Sequence, residues 1–98
     1  TLPLIALGAD GVISVVANAF PKDFSTMVRH CLAGKFAEAL PLHYKLVDII
    51  NLLFADGNPG GIKAALTIMG IGSENMRLPL VKVNAEVRAA LQEAIKAY

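Results

Sequence analysis

Six lysines, Lys22, Lys35, Lys45, Lys63, Lys82 and Lys96, are the residues of this chain best suited to covalent chemistry with a carbonyl substrate. A Schiff-base lysine works from an apolar, desolvated setting on a rigid element such as a strand. All but Lys63 fall at positions that read as solvent-facing. Lys63 follows an Asn-Pro-Gly-Gly run and could approach a site from it, but its default reading is a surface lysine as well. Cys31 is a second candidate, with His30 beside it and Lys35 four residues on. On a helix His30 points about 100° away from Cys31, and Lys35 lies beyond Gly34. Cys31 therefore reads as a small buried core residue and His30 as a surface or capping one. His43 lies on an apolar stripe with no ligand type at i+3 or i+4, so it reads as a packing histidine. The Ala55–Gly61 run is rich in glycine but has neither a Walker pattern nor G-x-G-x-x-G after a strand, and it reads as a helix–helix connection. No Ser-His-carboxylate set and no carboxylate pair can be assembled by spacing. The expectation is no catalytic residue, no metal site and no cofactor within these 98 residues.

The elements that would position any site are mostly helical. Thr1–Ala9 reads as the end of an amphipathic helix with Leu4, Ile5 and Leu7 inward, stopped at Gly8. Asp10-Gly11 is a turn into Gly11–Asn18, where Val12, Ile13, Val15 and Val16 predict a strand at about residues 12–17, covered on both faces as in a parallel sheet. Val12, Ser14 and Val16 share one face of it, and Ile13, Val15 and Ala17 the other. A helix opening near Pro21 buries Phe24, Met27, Val28, Cys31 and Leu32 and closes at Gly34. The longest helix covers Phe36–Phe54, with Phe36, Leu40, His43, Val47, Ile50 and Phe54 as its stripe and Leu42, Leu46, Ile49 and Leu53 widening it. Pro41 predicts a kink or a late start there. Ile62, Ala65, Leu66 and Met69 give a short helix ended by Gly70. Gly72–Val83 is irregular, with Arg77-Leu78-Pro79-Leu80 extended. Asn84 caps a last helix with the stripe Val87, Leu91, Ala94 or Ile95, and Tyr98. Glu93 and Lys96 on that helix are spaced for a weak surface ion pair.

A lone strand cannot satisfy its own N–H and C=O groups, so it needs neighbours the chain does not supply. Composition agrees. Apolar residues make up 55% of the sequence, above the roughly 45–50% of an ordinary domain, and mean hydropathy is +0.56. The longest apolar region, Leu46–Ala55, is interrupted by Asp48 and Asn51 and falls short of the ~18–20 residues of a membrane span. The surplus is expected to meet other protein. Net charge is +1, with nine basic and eight acidic residues scattered singly, which excludes a nucleic-acid stripe or an anionic-lipid cluster. One cysteine fits a reducing cytosol. The N-terminus lacks a signal-peptide pattern and begins Thr-Leu-Pro, as a truncated or cleaved product would.

Gly11-Val-Ile-Ser-Val-Val-Ala-Asn18 followed by Pro21-Lys22 resembles the last barrel strand and following loop of the dihydrodipicolinate synthases. Leu42-His43-Tyr44-Lys45-Leu46, Leu53-Phe54, Asn58-Pro59, Lys63 and Arg77-Leu78-Pro79 follow in the family's order, so the resemblance covers essentially all 98 residues. It implies an α/β chain, the C-terminal piece of a (β/α)8 TIM barrel plus a helical extension. Residues 1–33 would be the last part of the barrel, and 34–98 the extension. The implied activity is condensation of pyruvate, held as a Schiff base, with aspartate semialdehyde in lysine biosynthesis. The family's lysine, tyrosines and carboxylate-binding hydroxyls match no position here, and the chain alone is expected to be inactive. Ile13 matches the isoleucine that lines the pyruvate site, with core packing as its other reading. Asn18 would emerge near the catalytic rim or simply cap its loop. The implied partners are the remainder of the barrel and a homo-oligomer, with no nucleic acid and no membrane, in the cytoplasm. Gly60-Gly61, where many members have a bulkier, proline-containing pair, and Pro41 depart from the pattern. The alternatives are another pyruvate-dependent aldolase such as an N-acetylneuraminate lyase, and a non-catalytic helical interaction module.

Overall fold

The structure, a computed structural model, describes all residues from Thr1 to Tyr98. It contains five α-helices: α1 Leu2–Ala6, α2 Pro21–Leu32, α3 Phe36–Ala55, α4 Gly60–Ile68 and α5 Ala85–Ala97. A 3-10 turn, Val16–Asn18, lies between α1 and α2. The chain forms two compact units, Thr1–Val47 and Asp48–Tyr98, whose boundary falls inside α3. No helix is long and apolar enough to cross a membrane.

In the first unit, α1 and the 3-10 turn both pack on α2. Its buried side chains include Ile5, Val16, Phe20, Phe24, Met27 and Cys31. The helix stops come out where the glycines predict them. After α2, Gly34 takes φ 76°, its N–H bonds the Cys31 carbonyl at 3.0 Å and the Lys35 N–H bonds that of His30 at 2.8 Å. This is a Schellman closure, which a Cβ would disfavour. Gly8 and Gly70 end α1 and α4 with the same pair of bonds. Only Ile5 of α1 is buried, while Leu4 and Leu7 face solvent, as does Leu32 of α2.

The strand expected at about residues 12–17 is absent. Residues 9–14 carry no regular structure, and Val15 already lies in the helical region at φ −76°, ψ −48°, leading into the turn. β-Branched residues favour a strand only where a ladder exists to join, and the chain offers no second strand.

The second unit holds α4 against α5, with Leu53, Ile62, Ala64, Ala65, Val83 and Leu91 buried. Helix α4 begins at Gly60, inside the expected loop, because the Gly60-Gly61 pair is buried at a close approach. A Cβ on Gly61 would stand 2.0 Å from the Leu53 carbonyl oxygen. Helix α3 runs unbroken through Pro41, with no late start. Its buried side is Ala39, Leu46, Ile49 and Leu53, and of the stripe expected to lead, Leu40 and Phe54 are exposed. Arg77–Leu80 is a turn: the Leu78–Pro79 peptide is cis and the Leu80 N–H bonds the Arg77 carbonyl at 3.1 Å. Asn84 caps α5 as expected, its Oδ1 accepting the Val87 N–H at 2.8 Å. Glu93 and Lys96 do not pair.

The irregular stretch before α5 is pinned by charge. Glu74 Oε1 accepts from Arg88 Nε at 2.7 Å and from Nη2 at 2.6 Å, with the Glu74 side chain only 12% exposed. The hydrogen bond and the charge of Glu74 raise the Arg88 pKa above its ordinary value. Lys63 Nζ donates to the Asn75 carbonyl.

Candidate functional site

Residues 11–18 carry the candidate site. Gly11 to Ile13 are exposed, and the Ile13 side chain is exposed in full, at 104%. An isoleucine set wholly in water gains nothing from burial among these residues. Immediately after it the backbone turns. Ser14 Oγ accepts the Ala17 N–H at 3.1 Å, the donor left over where the 3-10 turn begins. Asn18 is exposed, and its Nδ2 donates to the Val15 carbonyl at 3.1 Å, the bond a loop-capping asparagine makes.

Beside this segment an open groove of about 350 Å³ is lined by Val12, Ser14, Ala17, Phe24, Val28 and Arg29, among others. Its walls are mainly apolar, with Ser14, Ser25 and Arg29 as the polar exceptions. Ser14 is the one hydroxyl in the otherwise largely apolar Gly11–Asn18 run. A serine three residues before a turn's first free donor is the signal that could have found it.

The other candidates separate. Cys31 is 2% exposed on α2. His30 Nδ1 meets Glu38 Oε2 at 3.3 Å on the half-exposed surface, and His43 stands edge-on to the Tyr44 ring with centroids 5.6 Å apart. Lys45 Nζ pairs with Asp23 at 3.0 Å. Lys63 is held by Asn75, and Lys22, Lys35, Lys82 and Lys96 are exposed. No three His, Cys, Asp or Glu side chains converge. In the connection between α3 and α4, Asp56 Oδ2 accepts the Asn84 N–H at 2.7 Å, tying the loop to α5. No lysine is desolvated, and no base stands beside a nucleophile. Ile13 and Asn18 are exposed on one short segment, with Ser14 between them half-buried.

Comparison with known proteins supplies a larger frame. The model of the dihydrodipicolinate synthetase family matches residues 1–98. A 4-hydroxy-tetrahydrodipicolinate synthase of Phocaeicola vulgatus is 52% identical over 97 residues, covering 95% of this chain and 33% of the relative. The crystal structure of dihydrodipicolinate synthase from Aquifex aeolicus superposes with a TM-score of 0.96 at 40% identity, over 100% of this chain and 33% of that one. The chloride-inhibited synthase of Acinetobacter baumannii, solved in complex with pyruvate, gives 0.90 at 38% identity, over 97% of this chain and 33% of its own. The chain thus spans about a third of the length of the relatives it matches.

Proposed function

The chain belongs to the dihydrodipicolinate synthetase family, as a piece of that family's barrel with its helical extension, and from this we propose that it is the C-terminal third of a 4-hydroxy-tetrahydrodipicolinate synthase. The whole enzyme would condense pyruvate, held as a Schiff base on a lysine upstream of Thr1, with aspartate semialdehyde. One observation carries the reading: the match runs the full length of this chain and stops at a third of each relative. The comparisons favour the synthase over an N-acetylneuraminate lyase or a stand-alone interaction module.

In this reading residues 1–33 close the barrel and 34–98 form the extension. Residues 11–13 would be completed as a strand by upstream neighbours. By the resemblance of its segment Ile13 would face pyruvate, and Asn18 would stand at the rim. The exposed Leu7, Leu78, Leu80 and Val81 support burial against the rest of the barrel and a second subunit. The buried free cysteine suits a reducing compartment, and the enzyme is read as cytoplasmic.

The test is reductive trapping. Treated with pyruvate and borohydride, this chain alone keeps its mass, whereas the full-length enzyme gains one reduced pyruvyl group on a lysine upstream of Thr1. An adduct on any of the six lysines here, or none in the full-length enzyme, overturns the assignment.

A further inference from the structure

We propose that the first turn of α5 is a conformational clasp: it grips the connections on both sides of α4, so that the three segments open and close as one unit. The device lies in the second unit alone and does not depend on the reaction. One grip is at Asn84, the N-cap of α5. Its Oδ1 accepts the Val87 N–H at 2.8 Å, which is half of a capping box. The other half needs an acceptor for the Asn84 N–H, ordinarily from a Glu or Gln three residues on. Val87 stands there and has none. Asp56, 28 residues earlier in the connection before α4, takes its place, with Oδ2 accepting at 2.7 Å.

The second grip is at Arg88, whose guanidinium holds Glu74, in the connection after α4, through Nε and Nη2. Both grips belong to one turn, because the Arg88 N–H bonds the Asn84 carbonyl at 3.0 Å. Between the gripped connections lies the start of α4. A Cβ on Gly60 would meet Val83 Cγ1, Met76 Cε and the Val81 carbonyl, so the stretch gripped at Glu74 lies over that end of the helix. Lys63 of α4 donates to the carbonyl of Asn75, next to the gripped residue. Packing adds little over the rest of the stretch, where Leu78, Leu80 and Val81 are exposed. Segments with few buried apolar contacts open locally at low cost, and here charge-assisted hydrogen bonds set that cost. Breaking either grip frees the turn that carries the other.

Amide exchange in the full-length protein tests this, with one reporter on each segment: Gly57, Leu80 and Val87. Their N–H groups bond the Phe54 carbonyl, the Arg77 carbonyl and Asn84 Oδ1, so each exchanges when its own segment opens. Asp56→Ala should speed all three by a common factor of about fivefold, the loss expected for one hydrogen bond. Leu80 is the remote reporter there, since its segment is the one held by Arg88. Arg88→Met should likewise speed all three by a common factor, with Gly57 as the remote reporter. Asp56→Asn keeps an oxygen at the same place and should exchange as wild type does. The Lys35 N–H, on the His30 carbonyl in the first unit, should be unchanged throughout. Leu80 unmoved by Asp56→Ala, or Gly57 unmoved by Arg88→Met, overturns the proposal and leaves two separate local ties. A rise shared by Lys35 also overturns it, because the substitutions would then act on the protein as a whole.

Discussion

The contact between Gly61 and Leu53 makes a sharp prediction about sign. In a helix interior alanine is favoured over glycine by about 1 kcal/mol, so Gly61→Ala within α4 would ordinarily stabilise. Here the added Cβ meets the Leu53 carbonyl oxygen at 2.0 Å, its carbon at 2.7 Å and its Cα at 2.8 Å. All three are backbone atoms of α3, so no rotamer change relieves them. The helices must part by about 1 Å or more to approach normal carbon contact. Parting loosens Leu53, Ala64 and Ala65, which are between 0% and 1% exposed. Overpacking of this kind costs about 1–3 kcal/mol and occasionally more. With no side-chain escape the upper part of that range applies, and after the propensity gain a net loss of about 2 kcal/mol remains. Gly60→Ala is the matched control. Its nearest neighbour is the Val83 side chain, with Cγ1 at 3.2 Å, which can give way, so the change should stay within about 0.5 kcal/mol of wild type. Urea unfolding of the protein carrying each substitution measures both. A Gly61→Ala midpoint at or above wild type would refute the reasoning. So would an equal loss in Gly60→Ala, since backbone contact would then not be what decides.

Four further outcomes can be checked. Asn84→Ala should cost about 1 kcal/mol in urea unfolding through loss of the α5 cap, whereas Asn84→Asp should retain it. The Cys31 thiol should resist an aromatic disulfide reagent in the native protein and react fully in denaturant, because it is buried on α2. Arg88→Met should release the 72–83 stretch, read as faster amide exchange there, and a double-mutant cycle with Glu74→Ala should show favourable coupling. Because the folded-state Arg88 pKa is raised, its stabilisation is undiminished across the neutral range, below the ordinary arginine value, and is lost on the alkaline side only above it. Melting from pH 6 to 9 should therefore show no slope from this group, and an Arg88-dependent slope in that window would count against the pairing.

Features fixed by a few adjacent residues were legible in the sequence. Gly8, Gly34 and Gly70 end helices because a left-handed residue is needed wherever a Schellman pair forms, and Asn84 caps because its side chain reaches its own first turn. The α2 stripe was legible because one face of that helix is polar, whereas α3 is apolar around most of its circumference. Periodicity there could not choose between the Leu46–Leu53 side, which is buried, and the Leu40–Phe54 side, which is not. The Gly60-Gly61 pair read as loop because glycine breaks helices locally. The real constraint on Gly61, the Leu53 backbone, lies eight residues away and leaves no local mark.

The strand between Val12 and Ala17 is the most informative discrepancy, because the same residues support both outcomes. Side chains at Val12, Ile13, Val15 and Val16 favour a pleated backbone, but strand energy comes from pairing, and the pairing partners of this segment are not in the chain. The C-terminal end meets buried neighbours and is drawn into the Val16–Asn18 turn, while the N-terminal end, lacking them, is left in solvent. If upstream strands supply the ladder, the segment before Ser14 should become protected from amide exchange in the full-length enzyme and exchange freely in the isolated chain. The Ala17 amide should be protected in both, because its acceptor is Ser14 and not a neighbouring strand. Equal exchange at Val12 and Ile13 in the two forms would mean that the β-branched run does not record a missing ladder.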